Sequence, residues 1–289
     1  LRERSYQSSL QALEKISQSS NYETFLTSYD SDGLKINALL TRPTGEIPEN
    51  GWPAIVFVHG YIPPSLYETT ERYEAYVDFL ARNGFVVLKT DLRGHGESEG
   101  EAGGAYYSSD YVIDTLNARA ALQESAYINP DKIGLWGHSM AGNVVLRSMA
   151  TRPEIPAIVI WGGAVFSYED FQKYRLNDSS YRPPSDTSAR QQRRNELFET
   201  KGELDPANDF WRMVAPTNYL SDIEGAIQLH HAVDDETVNV LYSRDLADML
   251  DQTTIPHEYQ EYQTGGHNIT GSSFTSAMNR TVDFFKTHL

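Results

Sequence analysis

Short apolar runs recur along the chain at 54–58, 85–90, 132–137, 157–162 and 227–232, and an alternating run covers 257–262. Their lengths and composition predict strands. Between them, apolar residues return at three- and four-residue intervals near 71–83, 110–125, 140–151, 237–250 and 271–287, which predicts amphipathic helices. Strands that alternate with helices imply a mostly parallel sheet covered on both faces, an α/β architecture. Functional loops then belong at the carboxyl ends of the strands. Ahead of this series, 22–29 and 34–42 flank Asp30-Ser31-Asp32-Gly33 and read as a hairpin at the sheet edge. Earlier still, Leu10, Leu13 and Ile16 recur at helical spacing in a polar stretch, which predicts a short helical extension over about residues 1–20.

The interval 164–219 breaks the alternation. It is rich in charge and in aromatic residues, among them Phe166, Phe198, Phe210 and Trp211, with Pro183-Pro184 in its middle. It reads as an inserted helical cap; the alternative is a solvated surface excursion, and Gln191-Gln192-Arg193-Arg194 does resemble an exposed helix face. The 289 residues, 39% of them hydrophobic, suffice for a single large domain spanning 1–289 that buries about three-quarters of the unfolded chain's surface.

Charge narrows the partners. With 24 basic and 40 acidic side chains, the net charge of −16 repels nucleic acid and anionic membranes. No run is long and apolar enough to span a bilayer. The chain contains no cysteine, so disulfides, thiolate metal sites and cysteine nucleophiles are absent. It begins at Leu1 rather than methionine, as expected if a leader has been removed from a secreted or envelope-attached protein; a cytoplasmic location is the alternative.

The candidate chemistry centres on Ile133-Gly134-Leu135-Trp136-Gly137-His138-Ser139-Met140-Ala141-Gly142. An apolar run ends in a serine flanked by small residues and continues as a helix, the pattern of a nucleophile elbow, whose sharp strand-to-helix turn needs small residues two before and two after the serine. Gly137 and Ala141 fill those places. The strand run 227–232 is followed by Asp234, Asp235 and Glu236, and 257–262 leads through Gly265-Gly266 to His267. Serine, acid and histidine in that order, with room for one helix and one strand between the last two, fit a hydrolytic triad. A metal cluster at His230, His231, Asp234, Asp235 and Glu236 is disfavoured, because adjacent strand residues point to opposite faces. Neither a metal nor a cofactor is expected.

In these pieces the chain resembles the α/β-hydrolase superfamily, and within it the catalytic domain of prolyl-oligopeptidase-like (S9-like) serine peptidases and their carboxylesterase relatives. The resemblance runs from about Leu34 to the C-terminus. It also covers His59-Gly60-Tyr61, Asp91-Leu92-Arg93-Gly94-His95-Gly96-Glu97-Ser98 and His231-Ala232-Val233-Asp234-Asp235-Glu236-Thr237-Val238, where Ala232 replaces the usual glycine. It implies an α/β-hydrolase fold with Ser139 as nucleophile, His267 as general base then acid, and Asp235 as its orienting carboxylate, Asp234 being the alternative. It further implies an oxyanion hole made by the N–H of Met140 and by Tyr61; for Tyr61 a loop aromatic covering the pocket is the alternative. No blade-length repeat is present, so a guarding propeller is not expected within this chain.

Tyr106, Tyr107, Phe166 and Trp211 are candidate walls of an aromatic substrate pocket. The leading expectation is a serine carboxylesterase working through an acyl-enzyme on a small-molecule ester. An aminopeptidase or amidase with the same machinery is the second reading, and a non-catalytic binding protein on the same fold is the third. Oligomeric state is left open.

Overall fold

Ala54, Val56 and Val58 pack on one side of the central sheet, Ile55 and Phe57 on the other. A run buried on both faces in this way is a strand between two helical layers. The computed structural model describes residues 1–165, 167, 170, 173–174, 187–202, 205 and 207–289. Its strands are β1 (Glu14–Gln18), β2 (Tyr22–Ser31), β3 (Leu34–Pro43), β4 (Trp52–Val58), β5 (Val86–Thr90), β6 (Ile128–His138), β7 (Ala157–Trp161), β8 (Ala226–Ala232) and β9 (His257–Tyr262). The described helices are α1 (Glu74–Arg82), α2 (Asp110–Gln123), α3 (Met140–Thr151), α4 (Thr187–Lys201), α5 (Asp209–Val214), α6 (Leu241–Leu250) and α7 (Ser272–His288).

All nine strands form one sheet in the order β1-β2-β3-β5-β4-β6-β7-β8-β9. From β5 to β9 every pairing is parallel, while β1–β2, β2–β3 and β3–β5 are antiparallel. The β2–β3 hairpin closes on Asp32 and Gly33, with φ of 60° and 76°. Positive φ at both central residues is the two-residue turn whose twist matches the flanking strands, and Asp-Gly favours it.

One layer packs α2 and α3 against the sheet through Val112, Leu116, Val144 and Val145. The other packs α1 and α7 through Val77, Leu80, Met278 and Phe285. Phe57 and Trp136, from neighbouring strands, stack with centroids 4.0 Å apart at the centre of that second layer. Among the described residues no helix is long and apolar enough to cross a membrane.

The helix expected over about residues 1–20 does not form. Residues 4–13 run without regular structure, and Glu14–Gln18 adds an edge strand antiparallel to β2. Leu10 and Leu13 still pack against the core, from irregular backbone rather than a helix. The backbone of Gln11 bonds to Ser28 O, so pairing with an available sheet edge prevails over a short helix that is marginal by itself. Within 164–219, α4 and α5 are described, whereas Phe166, Tyr168, Phe171, Tyr181 and Pro183-Pro184 lie outside the described residues.

Candidate active site

Ser139 stands between β6 and α3 with φ 54° and ψ −118°, a backbone region that side chains rarely occupy. Small neighbours make the turn possible. A Cβ on Gly137 would lie 2.6 Å from Ala141 O, so the glycine two positions before the serine is required by close approach. The Ser139 N–H donates to Trp161 O at 3.0 Å, and Ser139 O accepts from Gly142 and Ala164 at 3.0 and 3.1 Å. The turn is thereby tied to the end of β7. Ser139 itself is half-buried.

Asp235 lies in the loop after β8 and is buried. Its Oδ1 accepts the N–H groups of Thr237 and Val238 at 2.8 and 2.9 Å. Its Oδ2 lies 2.8 Å from His267 Nδ1 and 3.1 Å from His231 Nε2. Burial pushes this carboxyl up, but the hydrogen bonds from His231 and His267, the His267 charge and the Val238 N–H together outweigh burial and hold it well below the usual carboxylate range. An ionised Asp235 can only accept, which places a proton on His267 Nδ1 and leaves Nε2 as the basic nitrogen.

Gly162 keeps the space for this pair. It has φ +55°, and a Cβ there would meet His267 O at 2.9 Å and Asp235 Oδ2 at 3.5 Å. The structure therefore brings Asp235 and His267 together at the carboxyl edge of the sheet, where the Ser139 turn also lies. Among the described residues no hydrogen bond joins Ser139 Oγ to His267.

Asp234, the alternative acid, points elsewhere: its carboxylate accepts from the N–H groups of Gly265 and Gly266. His230 and His231 face opposite sides of β8, as their adjacency predicts. His230 bonds Gln228 and Tyr262, whereas His231 bonds Ser243 and Val238 O. Among the described residues no group of three or more acidic or histidine side chains is arranged to hold a metal.

Met140 opens α3, where backbone N–H groups have no intrahelical acceptor. Tyr61 follows Gly60 in the loop after β4 and packs, half-buried, against the core. That loop is pinned from below: His59 Nε2 lies 3.0 Å from Asp91 O, and its ring packs against Tyr67 at 4.4 Å and His95 at 4.9 Å. Burial, then the charge of His95, pushes the His59 imidazole down to about 3.

The candidate pocket residues divide. Tyr106 and Tyr107 are half-buried and adjoin a cluster containing Trp211, Ala164, Val238 and Tyr242. Trp211 has no exposed surface, so it is an anchor of this cluster and not a wall open to a ligand. Its indole Nε1 donates to Gly202 O at 3.2 Å, and its ring meets Tyr107 edge-on at 5.7 Å. The surplus of aromatics in this segment is thus partly a packing requirement. Phe166 lies outside the described residues.

Two features escaped the sequence reading. Arg93 forms an ion pair with fully buried Asp114, joined by Ser31, and fixes the loop after β5 to α2 and the hairpin. Tyr73 reaches from the start of α1 into the site, where its hydroxyl meets Gly60 N and His138 Nδ1. A lone tyrosine in a polar stretch carries no pattern that signals either contact.

Comparison with known proteins agrees with this architecture. The chain is 30% identical over 132 residues to the quorum-quenching protein AidA of Acinetobacter baumannii, covering 45% of this chain and 41% of that protein. It thus spans well under half the length of that relative. It is 23% identical over 255 residues to the uncharacterized peptidase YtmA of Bacillus subtilis, covering 87% of this chain and 88% of that one. Acetyl xylan esterase 1 of a Thermoanaerobacterium species superimposes with a TM-score of 0.67 at 18% identity, over 98% of this chain and 89% of its own. The family described as serine aminopeptidase, S33, matches residues 52–272. The chain belongs to that family of hydrolases and has the α/β-hydrolase fold.

Proposed function

We propose that the protein is a serine carboxylesterase that works through an acyl-enzyme. The observation that carries this is the 2.8 Å contact of buried Asp235 with His267 Nδ1, at the same sheet edge as a serine held on a strained turn. In this reading Ser139 attacks the ester carbonyl while His267 Nε2 takes its proton and then returns it to the leaving alcohol. The N–H groups of Met140 and Tyr61 face the oxyanion that develops, a contribution of about 2.7–4 kcal/mol for each donor. The substrate is a neutral or cationic small-molecule ester, since the net charge of −16 disfavours anionic ones.

The test is a fluorophosphonate titration with burst kinetics on activated esters. A stoichiometric label at Ser139 and loss of turnover in a folded Ser139→Ala variant support the reading; turnover like that of the unaltered protein in Ser139→Ala removes Ser139 from the mechanism.

The family's description and the peptidase relative favour a second reading, cleavage of an amide by the same residues. An amine leaves less readily than an alcohol and demands fuller protonation by His267. Matched ester and anilide substrates separate the two: preference for the anilide in kcat/KM overturns the esterase assignment.

A further inference from the structure

A chain of hydrogen bonds crosses beneath the site. The Gly60 N–H donates to the Tyr73 hydroxyl oxygen at 2.9 Å, the Tyr73 hydroxyl lies 2.7 Å from His138 Nδ1, and His138 Nε2 lies 2.9 Å from the backbone oxygen of His267. The directions are fixed by elementary chemistry. A backbone carbonyl only accepts, so His138 Nε2 carries a proton. Burial, then the charge of His267, pushes His138 down to about 3, so the ring is neutral and Nδ1 has a free lone pair. The Tyr73 hydroxyl therefore donates to Nδ1 and uses its oxygen for the Gly60 N–H. Each donor has one acceptor and no proton is left over.

The geometry is tight at every member. The His138 ring packs against the His267 ring with centroids 4.6 Å apart, and against Tyr73 at 5.5 Å. A Cβ on Gly60 would come within 2.9 Å of both His138 Nδ1 and Tyr73 Oη, so only glycine lets the loop approach. Tyr73 sits in the left-handed region, φ 56° and ψ 15°, a backbone cost that a tyrosine bears only where its surroundings hold it.

We propose that Tyr73 and His138 are positioning residues that lock the oxyanion loop, the nucleophile turn and the base loop into one hydrogen-bonded unit, an inference that rests on the roles given above to Ser139 and His267. Gly60 precedes Tyr61, His138 precedes Ser139, and the final acceptor is the backbone of His267. One rigid chain thus spaces the donor, the nucleophile and the base relative to one another. Among the described residues neither side chain forms a hydrogen bond to Ser139 Oγ or to the His267 ring. They hold the separations on which transfer between Ser139 and His267 depends, which substrate binding alone would not restore.

The experiment compares Tyr73→Phe, His138→Leu, the double variant and His138→Gln by fluorophosphonate titration followed by ester turnover per titrated site. The expected result for Tyr73→Phe is an unchanged titrated fraction, a melting temperature lower by no more than a few degrees, KM within about twofold, and kcat per site lower by about ten- to hundredfold. The double variant loses no more than His138→Leu alone, because both act through one chain, and His138→Gln, which keeps an N–H donor, recovers part of the loss. The proposal is overturned if Tyr73→Phe keeps kcat per site within about twofold, if the two losses multiply, or if only the titrated fraction or the melting temperature falls. An unaltered protein that neither labels nor turns over ester overturns the functional reading instead. In that event nitrogen-15 NMR of His138 decides the chain by itself: protonation on Nε2 in a neutral ring supports it, and protonation on Nδ1 overturns it.

Discussion

Asp234 Oδ1 accepts the backbone N–H of Gly266 at 2.8 Å, one residue before His267. Adjacent aspartates therefore act on one histidine in different ways, Asp235 on its ring and Asp234 on the loop that carries it. Asp234→Ala is expected to lower kcat by about tenfold or less, with faster amide exchange at Gly265 and Gly266, since it removes exposed bonds to backbone. A loss equal to that of Asp235→Asn would show that Asp234 is the orienting acid.

Asp235→Asn preserves shape but lets the amide stabilise the wrong imidazole tautomer. In an acyl-transfer triad this costs about 10⁴-fold in kcat, and that loss, with KM little changed, is expected here. Because the Asp235 carboxyl is held below its usual range in the folded protein, its stabilising contribution is complete above the unfolded carboxylate range and is lost as pH falls toward the depressed folded value. Urea melts at pH 3 and 6 should differ less in Asp235→Asn than in the unaltered protein; equal differences would refute the assignment.

The Asp91 carboxyl is pushed up to about 7 by burial, against hydrogen bonds from Thr69 and Tyr67 and the Lys89 charge. Between about pH 4 and 7 the folded state thus binds more protons than the unfolded chain, and stability falls as pH rises, by up to about 1.4 kcal/mol per pH unit. Asp91→Asn should remove this slope. Parallel stability curves for the two proteins between pH 5 and 7 would contradict it.

Trp211 has no exposed surface and binds α5 to Gly202 and Tyr107. Trp211→Ala is expected to cost about 3–5 kcal/mol of local stability, seen as rapid proteolysis within 187–214. Trp211→Phe should restore most of the protection. If Trp211→Ala instead raises KM alone with no change in cleavage, the indole lines the substrate pocket after all.

The sheet and its two helical layers were legible because alternation and helical periodicity report burial directly: the runs at 54–58 and 157–162 meet β4 and β7 within two residues. Asp32-Gly33 marked the hairpin through its backbone preference. The N-terminal segment was misread because three apolar residues at helical spacing say nothing about an unoccupied sheet edge nearby. Ser139, Asp235 and His267 stood out through chain order. Tyr73 did not, since its partners lie 13 and 65 residues away and no local pattern foretells a contact made by the whole fold. Asp114 was hidden within a buried helix of mixed composition for the same reason.

The backbone angles of Ser139, φ 54° and ψ −118°, have an implication for evolution as much as for chemistry. Conformations of this kind cost about 1–3 kcal/mol when a side chain is present, and glycine would escape most of that. The protein thus carries backbone strain at a residue its proposed reaction cannot spare, and an inert Ser139→Gly version should outlast it on heating. Selection for durability alone would favour glycine at this turn, so the strain is a stability cost that the proposed chemistry alone requires.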